Sequence, residues 1–140
     1  MSAKNNWRVE WKGKQFHNKL DMDIPLTLDT VGRFLRDEVK KTLSQKGTGR
    51  IYKTGRSGGT HQASAPGEPP AARTGDLRRR TAYKSDVDHK EFFVKVGNPL
   101  PYGPMLEFGT RKMAKRPWLG VTLRDNSGKV KTFLEKGIFR

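Results

Sequence analysis

Between Lys46 and Asp76 lie thirty-one residues that include seven glycines, three prolines and almost no large apolar side chains. Such a stretch buries too little surface to offset the entropy of ordering it. Loops this long inside a compact domain are uncommon, and are usually functional or disordered. The core must therefore come from what precedes and follows. Residues 46–76 are expected to form a long extended basic arm, flexible or ordered against neighbouring subunits. Within it, Ser64-Ala65-Pro66-Gly67-Glu68-Pro69-Pro70 favours extended or turn conformations.

Before the arm, Leu28, Val31, Leu35, Val39 and Leu43 recur at spacings of three and four, with Phe34 beside them. That period predicts an amphipathic helix over residues 27–45. Thr27 would be its N-cap, Asp29 suits its first turn, Lys40 and Lys41 its last, and Gly47 and Gly49 its end. Asp21 to Pro25 read as a connection, because proline disfavours helix before it. Trp7, Val9 and Trp11 alternate as a half-buried strand does. After the arm, Leu77–Lys84 and Phe92–Val96 are predicted as a strand hairpin turning at Asp86 to Lys90 and stopping at Gly97-Asn98-Pro99. Met105-Leu106-Glu107-Phe108 fits a short helical turn or a strand. Pro117 would start a final helix that Asn126-Ser127-Gly128 interrupts. At 140 residues the chain suits a single domain, 1–140.

The formal charge is +15, unevenly spread. Residues 1–43 carry +3, residues 44–80 carry +6, residues 81–110 carry −1 and residues 111–140 carry +7. Concentrations of this kind attract polyanions, either DNA or an acidic protein surface. Cysteine is absent, which excludes disulfides and thiolate metal sites. The first twenty residues are polar, and no stretch approaches the ~20 apolar residues needed to span a bilayer. A soluble protein made in the cytoplasm, with no membrane partner, is the expectation.

Catalysis needs groups held together, and the candidates are thin. His17, His61 and His89 fall in a polar stretch, the arm and a turn, without metal-ligand spacing. Asp21 and Asp23 read as solvated carboxylates. No nucleophile elbow or phosphate-binding loop is present. Glu107, among Leu106, Phe108 and Gly109, is expected to be an ion-pair partner for Arg111 or Arg116. No catalytic residue, metal or cofactor is expected, and the chain reads as a non-enzyme.

Four pieces occur in order: Ser64 to Pro70, then Thr74-Gly75-Asp76-Leu77, then Tyr102 with Leu106-Glu107-Phe108-Gly109-Thr110, then Arg116-Pro117-Trp118-Leu119. In this the chain resembles the small tail-completion and head–tail joining (neck) proteins of long-tailed bacteriophages and prophages. Those show a proline-rich segment before T-G-x-L, a Tyr upstream of E-F-G-T, and R-P-F/W-L at the start of a C-terminal helix. The likeness spans residues 64–123. The triple Arg78-Arg79-Arg80 and the long basic stretch 46–63 depart from it.

The resemblance implies an α+β fold, a small antiparallel sheet packed by the long helix and a C-terminal helix. It also implies a virion protein working as a homo-oligomeric, hexameric ring between a connector and the tail tube. Tyr102, Glu107, Phe108, Gly109, Thr110, Arg116, Pro117 and Trp118 would then serve subunit or ring contacts. Gly75 and Gly109 would allow turns that a side chain forbids, and Trp118 and Leu119 would close the core. Arg50, Lys53, Arg56, Arg73, Arg78, Arg79 and Arg80 would face packaged DNA in the channel or grip an acidic adjacent ring. The alternative is a stand-alone basic nucleic-acid-binding protein, with Trp7, Trp11, Tyr52 and Tyr83 stacking on bases. A toxin-like or ribosome-associated protein would share the charge and leave the ordered motifs unexplained.

Overall fold

The computed structural model describes residues 13–55, 57–87 and 91–138. The Trp7–Trp11 alternation, Arg56 and the tip of the turn at 88–90 lie outside them. In chain order the elements are α1 (Gly13–Thr42), β1 (Ile51–Thr54), β2 (Gly59–Gln62), α2 (Asp76–Arg80), β3 (Ala82–Val87), β4 (Phe92–Gly97), α3 (Tyr102–Phe108), α4 (Gly120–Asp125) and α5 (Ser127–Ile138). The fold is α+β. Its strands form two separate antiparallel pairs, β1–β2 and β3–β4, where a single small sheet was expected.

Helix α1 is the spine. Ile24, Leu28, Val31, Leu35, Val39 and Leu43 are all buried, a continuous stripe facing β3–β4, α4 and α5. Phe34 lies at the edge of the stripe and meets Phe133 of α5, ring centroids 5.1 Å apart. The helix starts well before residue 27 and runs through Pro25, which corrects the reading of 21–25 as a connection. Pro25 cannot donate to the carbonyl four residues back, but the apolar stripe extends past it to Ile24. Packing of that stripe outweighs one missing hydrogen bond. Thr27 is accordingly a helical residue and not the cap; its hydroxyl donates to the Asp23 carbonyl at 2.7 Å.

The β3–β4 hairpin lies across α1, with Tyr83 opposite Val96 and Ser85 opposite Val94. Contact is close because position 32 has no side chain: a Cβ there would sit 2.2 Å from a Tyr83 ring carbon. The Tyr83 hydroxyl donates to Asp29 at 2.7 Å and accepts from Arg33, while Arg36 lies 5.4 Å over the ring. Tyr83 is thus part of the helix–sheet seam.

Leu77–Lys84 is not one strand. Its first half is α2, and β3 begins only at Ala82. Gly75 (φ 76°) turns the chain as expected, Asp76 sits in the first turn of α2, and Arg78 to Arg80 fill its last. That charge order complements a helix dipole. Only Leu77 is buried, and it joins Val39, Leu43 and Trp118 in the core, with Val96, Leu100, Leu106 and Leu119 packed around them.

The C-terminal helix breaks at Asn126 into α4 and α5, and it begins at Gly120, not at Pro117. Asn126 is buried and its amide donates to the Thr122 carbonyl at 2.9 Å. No described helix is long and apolar enough to cross a membrane.

Candidate functional site

The motif pieces at 106–110 and 116–119 are two sides of one closed turn. Glu107, at the end of α3, accepts backbone hydrogen bonds from Trp118 (2.8 Å), Leu119 (2.9 Å) and Gly120 (2.8 Å). These are the amides that open α4, where intrahelical acceptors are missing and negative charge is favoured. Glu107 therefore anchors a helix start, and makes no ion pair with Arg111 or Arg116 among the described residues. Between the two sides, Gly109 takes φ 77° and ψ 176°. A Cβ there would lie 2.8 Å from the Lys115 nitrogen and 2.9 Å from the Met113 oxygen. Arg116 closes the loop, its amide donating to the Leu106 carbonyl at 2.6 Å.

The same turn holds the proline-rich piece. The Arg116 guanidinium donates to the Ser64 carbonyl through Nη2 (3.1 Å) and Nε (3.3 Å), and the Gly67 amide donates to the Lys115 carbonyl at 3.0 Å. Glu68 then reaches back to the hydroxyl and amide of Thr48 and to the amide of Ala65 (2.9 Å). Those bonds, with the Thr48 hydroxyl first, hold the Glu68 carboxyl below the usual carboxylate range. Residues 46–76 thus contain a hairpin whose base is clamped: Gly49 donates to the Ala63 carbonyl at 2.8 Å, and Ala63 to that of Arg50 at 3.0 Å.

A pH dependence follows. Because folding lowers the Glu68 pKa, the clamp contributes in full above the ordinary carboxylate value of 4.5, and is lost as pH falls through the depressed folded value. Acidification below 4.5 should speed hydrogen exchange at the Thr48 and Ala65 amides before the core amides of α1. Unchanged relative protection of those amides down to global unfolding would refute the clamp.

Trp118 is 2% exposed, and its indole N–H donates to the Gly103 carbonyl at 3.2 Å. Leu119 packs on the same core. Of the expected ring-contact residues, Glu107 and Trp118 are therefore engaged within the chain, Gly109 shapes the turn, and Arg116 and Pro117 are half-buried. Tyr102, Phe108 and Thr110 are exposed. Phe108 is 80% exposed, and Met105, which sequence reasoning did not single out, lies between it and Tyr102 at 52%. With a spacing of three, Tyr102, Met105 and Phe108 form one apolar stripe on the outer face of α3.

The basic candidates divide. Arg50 and Lys53 are on the β1–β2 hairpin, Arg50 stacked 5.4 Å over the Tyr52 ring. Arg73 is exposed in the loop before α2. Arg78 donates to the Ser44 hydroxyl at 3.1 Å, and Arg79 is held by Asp76 and the Thr74 carbonyl. Arg80 is exposed. The Asp76 carboxyl is held low, chiefly by the Thr74 hydroxyl and then by Arg79. Asn98 was also missed: its amide donates to the Leu77 carbonyl (2.6 Å) and the Thr81 hydroxyl (3.2 Å), tying α2 to the end of β4. Among the described residues, no group of three His, Asp or Glu is placed to hold a metal ion. No family model, curated protein or solved structure matches this chain.

Proposed function

We propose that this chain is a structural protein of a long-tailed phage virion, forming a homo-oligomeric ring at the head–tail interface or the tail end. It works by contact and not by catalysis. The observation that carries the reading is the joining of the 64–70, 106–110 and 116–119 pieces into one hydrogen-bonded unit. Residues from three of the four pieces that match the neck-protein pattern are partners in a single construction, which supports the resemblance as more than scattered short matches. That unit fixes α3 with Tyr102, Met105 and Phe108 outward, an apolar stripe suited to the neighbouring copy in a ring.

Replacing Phe108 with Asp tests this. The side chain is 80% exposed, so the variant should fold as the parent does. Light scattering should show the parent joining a discrete ring on tail tubes or connector-bearing heads, and the variant remaining apart. Normal ring formation by the variant would sink the stripe as the subunit contact. The stand-alone nucleic-acid binder draws on the same basic segments, and would ignore phage parts while holding DNA tightly.

A further inference from the structure

We propose that the β1–β2 hairpin is a DNA-binding ribbon that enters the major groove of duplex DNA. The inference deepens the ring reading by choosing DNA, over an acidic neighbouring ring, as the partner of this basic segment.

Three features carry it. First, the ribbon projects. No other described helix or strand packs closely on β1 or β2, and six of their eight residues are exposed, Ile51 at 62% and Tyr52 at 48%. A free two-stranded hairpin is marginal in water, yet this one is clamped at its base by Glu68, Thr48 and the Gly49–Ala63 bonds. Second, the charge is of one sign. No acidic residue occurs between Lys46 and Gly67. Third, the charge is on both faces. Arg50 lies with Tyr52 and His61 on one face, while Lys53 lies with Ile51, Thr60 and Gln62 on the other.

The two-faced arrangement decides between partners. An acidic protein surface would engage one face and leave the other's cation in solvent. A groove has two walls, each a phosphate strand, and would engage both. Dimensions choose the groove. Two strands about 5 Å apart with their side chains suit the major groove, about 12 Å wide, and not the minor, about 6 Å. Gly55 and Gly58, at the two ends of the turn, have positive φ and open space where a side chain would be. Phosphate contact dominates such a mode, so binding should be largely independent of sequence and steeply salt-dependent.

The experiment is fluorescence anisotropy of the intact protein with a labelled random-sequence duplex over a range of salt. The Arg50→Ser/Lys53→Ser double variant should bind at least ~10-fold more weakly near 0.1 M salt, with a log–log salt slope shallower by roughly 1.8, two phosphate contacts' worth. Lys112→Ser/Lys115→Ser, exposed residues with the same charge change, should alter neither by more than about a third as much. Equal loss in the two variants would reduce the effect to overall charge and overturn the ribbon. Absence of DNA binding by the parent, or preference for polyglutamate over the duplex, would overturn it in favour of an acidic protein partner. Phe108→Asp should bind the duplex like the parent, so failure of the ribbon and failure of the ring contact are read separately.

Discussion

Glu107→Ala should destabilise the protein by about 2–4 kcal/mol, read as a lower urea midpoint with an unchanged slope. The carboxylate is the acceptor for three amides, those of Trp118, Leu119 and Gly120. Hydrogen bonds to a charged group contribute about 1.5–3 kcal/mol each, and loss of a helix cap costs about 0.5–2. Water reaches the Gly120 end of the site, so part of the sum is recovered and the total falls short of full addition. Glu107→Gln should recover only part of the loss. Its one oxygen cannot serve both sides of the carboxylate, and its amide would face an N–H donor. A change below about 0.5 kcal/mol for the alanine variant would mean that solvent satisfies these amides and that Glu107 does not fasten the turn.

The importance of Glu107 was legible, but its partner was not. An acid among Leu106, Phe108 and Gly109 with two nearby arginines suggests an ion pair. Its actual partners are main-chain amides, which every residue carries and no side-chain letter announces. The same blindness applies to Asn98, whose contacts include the Leu77 carbonyl twenty-one residues back. By contrast, the α1 stripe and β4 were readable, because a period of 3.6 and a β-branched, aromatic run are written in the side chains themselves. Local rules erred where tertiary packing overrode them. Pro25 argued for a break, and burial of Ile24 and Leu28 carried α1 through it. The basic run after Leu77 looked like a strand's polar positions until Gly75 and Asp76 made it the end of a short helix. Residues 46–76 lack core-forming side chains, as their composition says. They are nonetheless held, at Ser64 and Gly67 by Arg116 and Lys115 and at Thr48 by Glu68 twenty residues along, and no composition reports those contacts.

Trp118→Ala should cost about 3–5 kcal/mol, the largest single loss among side chains of the core. Trp118 is 2% exposed and packs with Val39, Leu43 and Leu77, so it joins α1, α2 and the turn before α4. Truncation leaves a void that three elements cannot all close, and frees the Gly103 carbonyl from the indole N–H. Trp118→Phe keeps a ring in the site and loses that bond and part of the volume, so about 1–2 kcal/mol is expected. The consequence reaches the proposed contact face. Gly103 lies in the first turn of α3, against the indole, and its position sets which way Tyr102, Met105 and Phe108 point. Trp118→Ala, examined at a temperature where it remains folded, should therefore show faster hydrogen exchange in α3 than in α5, and should join rings poorly although no exposed residue has changed. If α3 and α5 loosen equally, Trp118 is filling space in a common core and does not orient the contact helix.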